Sequence, residues 1–233
     1  MLDDSILEHA RSESPKECCG VIIVFKGRER YIPCRNIYDF PEESFSIHPE
    51  DYADAEDLGE IIKIVHSHPK TPPEPTQPDL VGIEKTGIPW LIVDPHTGRT
   101  TETNPSGYIA PLVGREYSFG VLDCLTLIQD YYSRKLGIEL PDYPREEFWY
   151  ETGENLILDR YAENGFQKVD DLQKHDVILM YGGSKVPNHL GVYLGGGDIL
   201  HHVGFKLSSR DVYGNAGYWY KSTWGYLRHI DLI

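Results

Sequence analysis

The chain has no run of about 18 consecutive apolar residues, so no membrane-spanning helix is expected. Its opening stretch, MLDDSILEHARSESPKE, carries acids where a secretory leader needs a basic region and a long apolar run, which predicts a protein cytosolic where it is made. Cysteine is scarce. Cys18, Cys19, Cys34 and Cys124 are too few and too irregularly spaced for a disulfide framework, and no C-x-x-C pair points to a cysteine-based structural zinc site. Positive charge is scarce too: 22 Lys and Arg stand against 37 Asp and Glu, for a net charge of -15. With no basic stripe, the composition argues against nucleic acid and acidic membranes as partners, while a peptide in a local cleft remains compatible.

What is present fits two compact domains. The 233 residues exceed the usual single-domain size, and 40% hydrophobic content gives each half a core. Residues 6–11 read as a short helix and 20–25 as a buried strand, with Cys18 and Cys19 pointing to opposite sides. Pro49 followed by Glu50 and Asp51 marks a helix start. Residues 61–66 form a second apolar strand, then a proline-rich loop, KTPPEPTQPD, a short helix after Asp79 and a strand at 89–93. Residues 100–114 read as a linker. Beyond it, helices are expected from about Asp123 and over 157–162, and strands over 177–181, 190–194 and 199–202. The prediction is an α/β domain over residues 1–104 and an α+β domain over 112–233.

His66 and His68 sit two apart at a strand end, so both side chains leave the same face. With Asp79 returning across the proline-rich loop they offer three metal ligands, and a fourth position stays open for water, the pattern of a catalytic Zn2+ site. Zinc brings the pKa of such a water to about 7, and a nearby carboxylate must then carry the proton to the leaving amine. A histidine pair closing a strand, with Asp79 capping a helix, is the plainer alternative.

The spacing His66, His68, Thr76, Asp79 resembles the JAMM (JAB1/MPN+) metallopeptidase motif, with His-Ser-His-Pro intact. The upstream Pro-Lys-Glu-Cys-Cys-Gly resembles the segment that carries that family's catalytic Glu, here Glu17. The resemblance covers about the first 100 residues and implies a JAB1/MPN-like α/β fold and zinc-dependent hydrolysis of peptide or isopeptide bonds. Thr76 stands where Ser is usual and keeps a hydroxyl for the oxyanion.

Cys124 lies at the expected start of a helix, where backbone N–H groups favour the thiolate. His189 opens the strand His-Leu-Gly-Val-Tyr-Leu-Gly and His201 follows a Gly-Gly-Gly-Asp turn. From a paired strand, His201 can orient the imidazole of His189, as a triad requires. His202 adjoins it, and strand alternation lets one of the two face the site; counting from His189 favours His201. A buried free thiol with unrelated histidines is the alternative. The aromatic run 213–224 suits a substrate wall or ordinary packing equally.

Tyr117, Gly120, Asp123, Cys124, then His189 to Gly195, then His201 resemble the NlpC/P60 cysteine peptidases. The resemblance covers residues 114–233 and implies a papain-like fold, cleavage of peptidoglycan stem peptides, and a catalytic set that includes Tyr117. Two departures stand out: Asp-Cys-Leu-Thr where Asp-Cys-Ser-Gly is common, and His175 at a usual Gly. A JAMM half followed directly by an NlpC/P60 half resembles a tail tip assembly family of lambda-like phages. That implies phage tail tip proteins as partners, and a location in the host cell cytoplasm during assembly or at the virion tail tip. It also leaves open a non-enzymatic assembly factor, or a wall hydrolase whose JAMM half is only a scaffold.

Overall fold

The computed structural model describes residues 2–233, with side chains from Asp4 onward. Contacts divide the chain into Met1–Ile109 and Ala110–Ile233. The first unit is built on the strand Cys-Gly-Val-Ile-Ile-Val-Phe. Its elements are α1 (Leu2–Glu13), β1 (Cys19–Phe25), β2 (Arg28–Cys34), α2 (Pro49–Leu58), β3 (Glu60–Ser67), α3 (Gln77–Thr86), β4 (Trp90–Val93) and β5 (Thr100–Thr103). Sheet order is β2-β1-β3-β4-β5, with β3 and β4 parallel and the other pairs antiparallel.

Apolar residues run almost without a break along β1 because both of its faces are covered. Cys19, Val21 and Ile23 pack with Ala55 of α2 and Ile83 of α3, while Cys18 and Ile22 pack with Ile6 and Ala10 of α1. The two adjacent cysteines therefore do face opposite layers. Two strands differ from expectation. β2 is amphipathic only weakly, with exposed Arg28, Glu29 and Arg30, and is held by its register with β1. β5, Thr-Thr-Glu-Thr, lies inside the stretch expected as linker and forms the sheet edge against β4. Edge strands need little apolar content, so hydropathy does not reveal it.

The second unit contains α4 (Cys124–Leu136), α5 (Leu156–Arg160), β6 (Phe166–Val169), β7 (Val177–Met180), β8 (His189–Gly195), β9 (Asp198–His201), β10 (Ser209–Val212), α6 (Tyr218–Lys221) and β11 (Thr223–His229). Six strands form an antiparallel sheet in the order β10-β9-β8-β7-β11-β6. Leu127, Ile128, Tyr131 and Tyr132 of α4 pack on Leu179, Leu190 and Val192, and burying each large side chain contributes roughly 1.5–3 kcal/mol. The helix is thereby held against β8, the strand that begins with His189. Both fold classes agree with the sequence: α/β first, α+β second. Among the described residues, no helix is long and apolar enough to cross a membrane.

Candidate active sites

The register of β1 on β3 sets Cys19 opposite His66, and Ser67 N–H donates to Cys18 O at 3.2 Å. Glu17 lies just before this ladder, and its buried carboxyl feels the charges of His66, His68 and Asp79. Its backbone is fixed from both sides: its N–H donates to Pro41 O at 2.7 Å, and its carbonyl accepts from Asn36 Nδ2 at 3.0 Å. Asn36 also bonds Ser44 O and accepts from Tyr38 N and Ser46 N, so it joins Glu17 to the loop before α2.

His66, His68 and Asp79 converge. The two Nε2 atoms lie 3.1 Å apart, and each lies within 3.3 Å of an Asp79 carboxylate oxygen. All three side chains are buried, and their donor atoms form a group that can hold a metal ion. The second contacts of the rings agree with that. His68 Nδ1 donates to Pro72 O at 2.9 Å, which leaves its Nε2 lone pair facing the cluster. His66 is held by packing, stacked on Phe45 at 4.5 Å with its edge toward Trp90. Two imidazole nitrogens and a carboxylate oxygen are a fitting donor set for a divalent metal with an open position.

Asp79 is presented by a helix cap. Thr76 is the N-cap of α3; its hydroxyl accepts from Asp79 N–H at 3.3 Å and its own N–H donates to Asp79 Oδ2 at 2.8 Å, forming a capping box, and the hydroxyl also donates to Asp79 Oδ2 at 2.7 Å. α3 thus starts before Asp79, not after it. The Thr76 hydroxyl is committed to the cap, a part the spacing alone does not assign it. Burial pushes the Glu17 carboxyl up to about 7, with His66 and His68 pulling the other way. Burial also acts on Asp79, but the charges and bonds of His66, His68 and Thr76 outweigh it and hold that carboxyl well below the usual range.

In the second unit Asp123 caps α4 and Cys124 is the helix's first residue. Asp123 accepts from Thr126 N–H, and Thr126 Oγ1 accepts from Asp123 N–H, a second capping box. Cys124 and His189 line one cavity of about 580 Å³, together with Tyr117, Arg145, Trp149 and Trp219. His189 Nε2 lies 3.0 Å from His201 Nδ1, and His201 Nε2 lies 3.0 Å from Asp211 Oδ2. Trp219 covers the pair, its ring centroid 4.8 Å from both imidazoles.

His201, at the end of β9, is the member of the His-His pair that meets His189. His202 lies beyond the strand, where alternation no longer applies, and it also borders the cavity. Its Nε2 bonds Lys206 O at 3.0 Å, and its ring meets Tyr117 edge to face at 5.5 Å. Tyr117 is thus in the cavity wall. Burial pushes the Cys124 thiol up to about 12, Asp123 adding to it, against Leu190 N–H and the Arg145 charge. Burial likewise pushes His189 down to about 3, helped by His201 and His202. Both shifts favour the neutral thiol and the neutral imidazole, against the pull of the helix N-terminus toward a thiolate.

Two supports of the thiol site lie outside the expected set. Asp211 sits on β10 in register with Ile199, and its position on a hairpin strand after His201 is the signal that finds it. Arg145, between α4 and α5, pairs with Asp123 at 2.6 Å; no periodicity marks it. His175 takes φ +80, a conformation that suits glycine, and is held there by Tyr131 Oη on its Nδ1 and Tyr132 Oη on its carbonyl, at 2.8 and 2.7 Å. The aromatic run 213–224 divides: Tyr213 is core, while Tyr218 and Trp219 face the cavity.

The model described as prokaryotic homologs of the JAB domain matches residues 2–106, and that of the NlpC/P60 family matches residues 114–228. A crystal structure of an NlpC/P60 family protein from Bacillus cereus is 15% identical, covering 96% of this chain and 66% of that one, with a TM-score of 0.36. Tail tip assembly protein K of Escherichia phage lambda is 39% identical over 147 residues, 62% of this chain and 71% of that protein. Its counterpart from Escherichia phage N15 is 39% identical over 232 residues, 98% of this chain and 94% of that protein. With near-complete coverage at that identity, the chain belongs to the tail tip assembly protein K family.

Proposed function

We propose that the chain is a bifunctional peptide hydrolase of phage tail tip assembly, with a zinc-dependent (iso)peptidase site in its first half and a thiol peptidase site in its second. The observation that carries this reading is the relay His189–His201–Asp211 ending in the cavity that Cys124 lines. In the first half His66, His68 and Asp79 would hold the zinc, which when bound would supply a Lewis acid and make water nucleophilic near neutral pH. Glu17, buried beside those ligands, takes the proton from water and returns it to the leaving amine. Thr76 serves by holding Asp79 in place.

In the second half Cys124 attacks the scissile carbonyl as His189 takes its proton. The new S–C bond forms, the C–N bond breaks, and the proton leaves on the amine; water then hydrolyses the thioester. The backbone N–H of Cys124, at the start of α4, is the group we assign to the oxyanion. His201 and Asp211 orient His189, and Tyr117 borders the bound peptide. Phage tail tip proteins and peptidoglycan stem peptides are the proposed substrates and partners, met in the host cell cytoplasm during assembly and at the virion tail tip.

A wall hydrolase with a scaffold-only first half is the second reading, favoured by the commitment of the Thr76 hydroxyl to its cap. Metal content of the purified full chain, with Glu17→Ala and Cys124→Ala assayed on stem peptides and tail proteins, separates the two. Loss of all activity in Cys124→Ala with none lost in Glu17→Ala leaves only the second reading. No effect of either change overturns both.

A further inference from the structure

The stretch between α4 and α5 has one turn of 3-10 helix, Trp149–Glu151, and no strand, yet it builds a whole wall of the Cys124 cavity. Tyr143, Arg145, Glu147, Phe148, Trp149 and Tyr150 all come from it. Phe148 holds φ +60, a costly conformation for an aromatic residue, so the wall is set in a particular shape. A loop that shapes a site needs a fixed point.

Arg145 is that point. Its side chain is 6% exposed, and its Nη2 lies 2.6 Å from Asp123 Oδ2, itself on a side chain 4% exposed. Nη1 holds the loop to itself through Asp142 Oδ1 at 3.2 Å and Tyr143 O at 3.3 Å. The guanidinium also lies 5.3 Å from the ring of Phe119. Asp123 Oδ2 accepts in addition from Gly120 N–H at 2.9 Å, and Oδ1 from Thr126 N–H at 2.9 Å. One buried carboxylate thus joins the turn before α4, the first turn of α4 and the aromatic wall. Its charge sits one residue from the nucleophile, where alone it opposes a thiolate.

We propose that Arg145 is a positioning residue of the thiol site, clamping the 142–150 wall to the Asp123 cap and supplying the cation that offsets that carboxylate beside Cys124. The assignment rests on the thiol-peptidase reading of Cys124. Around the sulfur, Asp123 comes from its own helix, Tyr143, Arg145 and Glu147 from the wall, and His189 from β8. His202, Lys206 and the phenols Tyr117, Tyr150 and Tyr218 complete the titratable lining.

The test is the rate of Cys124 alkylation by iodoacetamide from pH 6 to 9 in the full chain, read on the Cys124 peptide by mass spectrometry. Arg145→Gln is expected to displace the rate–pH profile upward by about one unit, roughly tenfold slower at each pH. Arg145→Lys, which keeps the charge, is expected to stay near the parent. Near-UV circular dichroism of both variants checks that the wall is folded. A parent profile unmoved by Arg145→Gln overturns the assignment alone, as does an Arg145→Lys profile displaced as far as that of Arg145→Gln. A Cys124 that does not react in the folded parent overturns the assignment and the thiol-peptidase reading together.

Discussion

The imidazoles of His189 and His201 meet nitrogen to nitrogen, Nε2 to Nδ1 at 3.0 Å, and this contact decides which atom of His189 is basic. His201 Nε2 faces the Asp211 carboxylate and so carries a proton. In its neutral form His201 Nδ1 is then an acceptor, His189 donates from Nε2, and the lone pair of His189 falls on Nδ1. The carboxylate thereby selects a tautomer two side chains away.

His201→Ala is expected to lower kcat on a stem-peptide substrate by about a hundredfold with little change in KM, since it loses orientation of the base and not substrate contact. The Asp211 carboxylate is half in solvent, at 51% exposure, so Asp211→Asn is expected to cost less than about tenfold. Equal losses in the two variants would contradict the relay.

Burial of His189 gives the chain an acid limit. Its folded pKa of about 3 lies below the ordinary 6.5, so under pH 6.5 the unfolded chain binds a proton that the folded chain refuses. Stability is complete above that value and falls as pH drops toward 3, by roughly 1.4 kcal/mol per unit. Urea titrations of the full chain between pH 4 and 7 are expected to show a shallower slope in His189→Gln than in the parent.

Thr76→Ala is expected to cost about 1 kcal/mol of stability through the lost cap and to weaken metal binding about tenfold, because Asp79 loses the hydroxyl that orients it. Thr76→Ser keeps both bonds and is expected to match the parent in denaturant melts and in competition with a zinc chelator. Unchanged chelator competition in Thr76→Ala contradicts the orienting role.

Asp176 and Arg228 form a two-point ion pair, with both contacts at 2.8 Å and Asp176 1% exposed. Removing either partner leaves a buried charge, so Arg228→Ala is expected to destabilise by about 3–5 kcal/mol. Arg228→Met with Asp176→Leu is expected to recover much of that loss, measured as the denaturant midpoint.

The site residues were legible where chemistry imposes a short spacing. His66 and His68 lie two apart on a strand, and Asp123–Cys124 sits at a helix start, so local geometry alone brings each pair to one place. Long apolar runs gave β1 and β3 for the same reason. Arg145 was not legible, because it reaches its partner through tertiary contact from a segment with no periodic signature, while Asp211 is found only once β10 is placed as the hairpin strand after His201. The helix start at Cys124 is local and legible, whereas the burial that pushes its thiol up is contributed by distant chain and leaves no mark in the sequence.

The pairing of β1 with β3 slips between Ile22 and Ile23, so that Ile22 faces Lys63 but Ile23 faces Ile61. The two ends of that ladder are therefore phased independently. The turn after Phe25 falls outside this ladder, which ends at Val24 opposite Glu60, so a residue inserted there is not expected to move Cys19 from His66. A residue inserted between Glu17 and Cys19 rotates the carboxylate out of the donor cluster, because side chains alternate with every step. Chain length is free to drift at one end of this sheet and is fixed at the other.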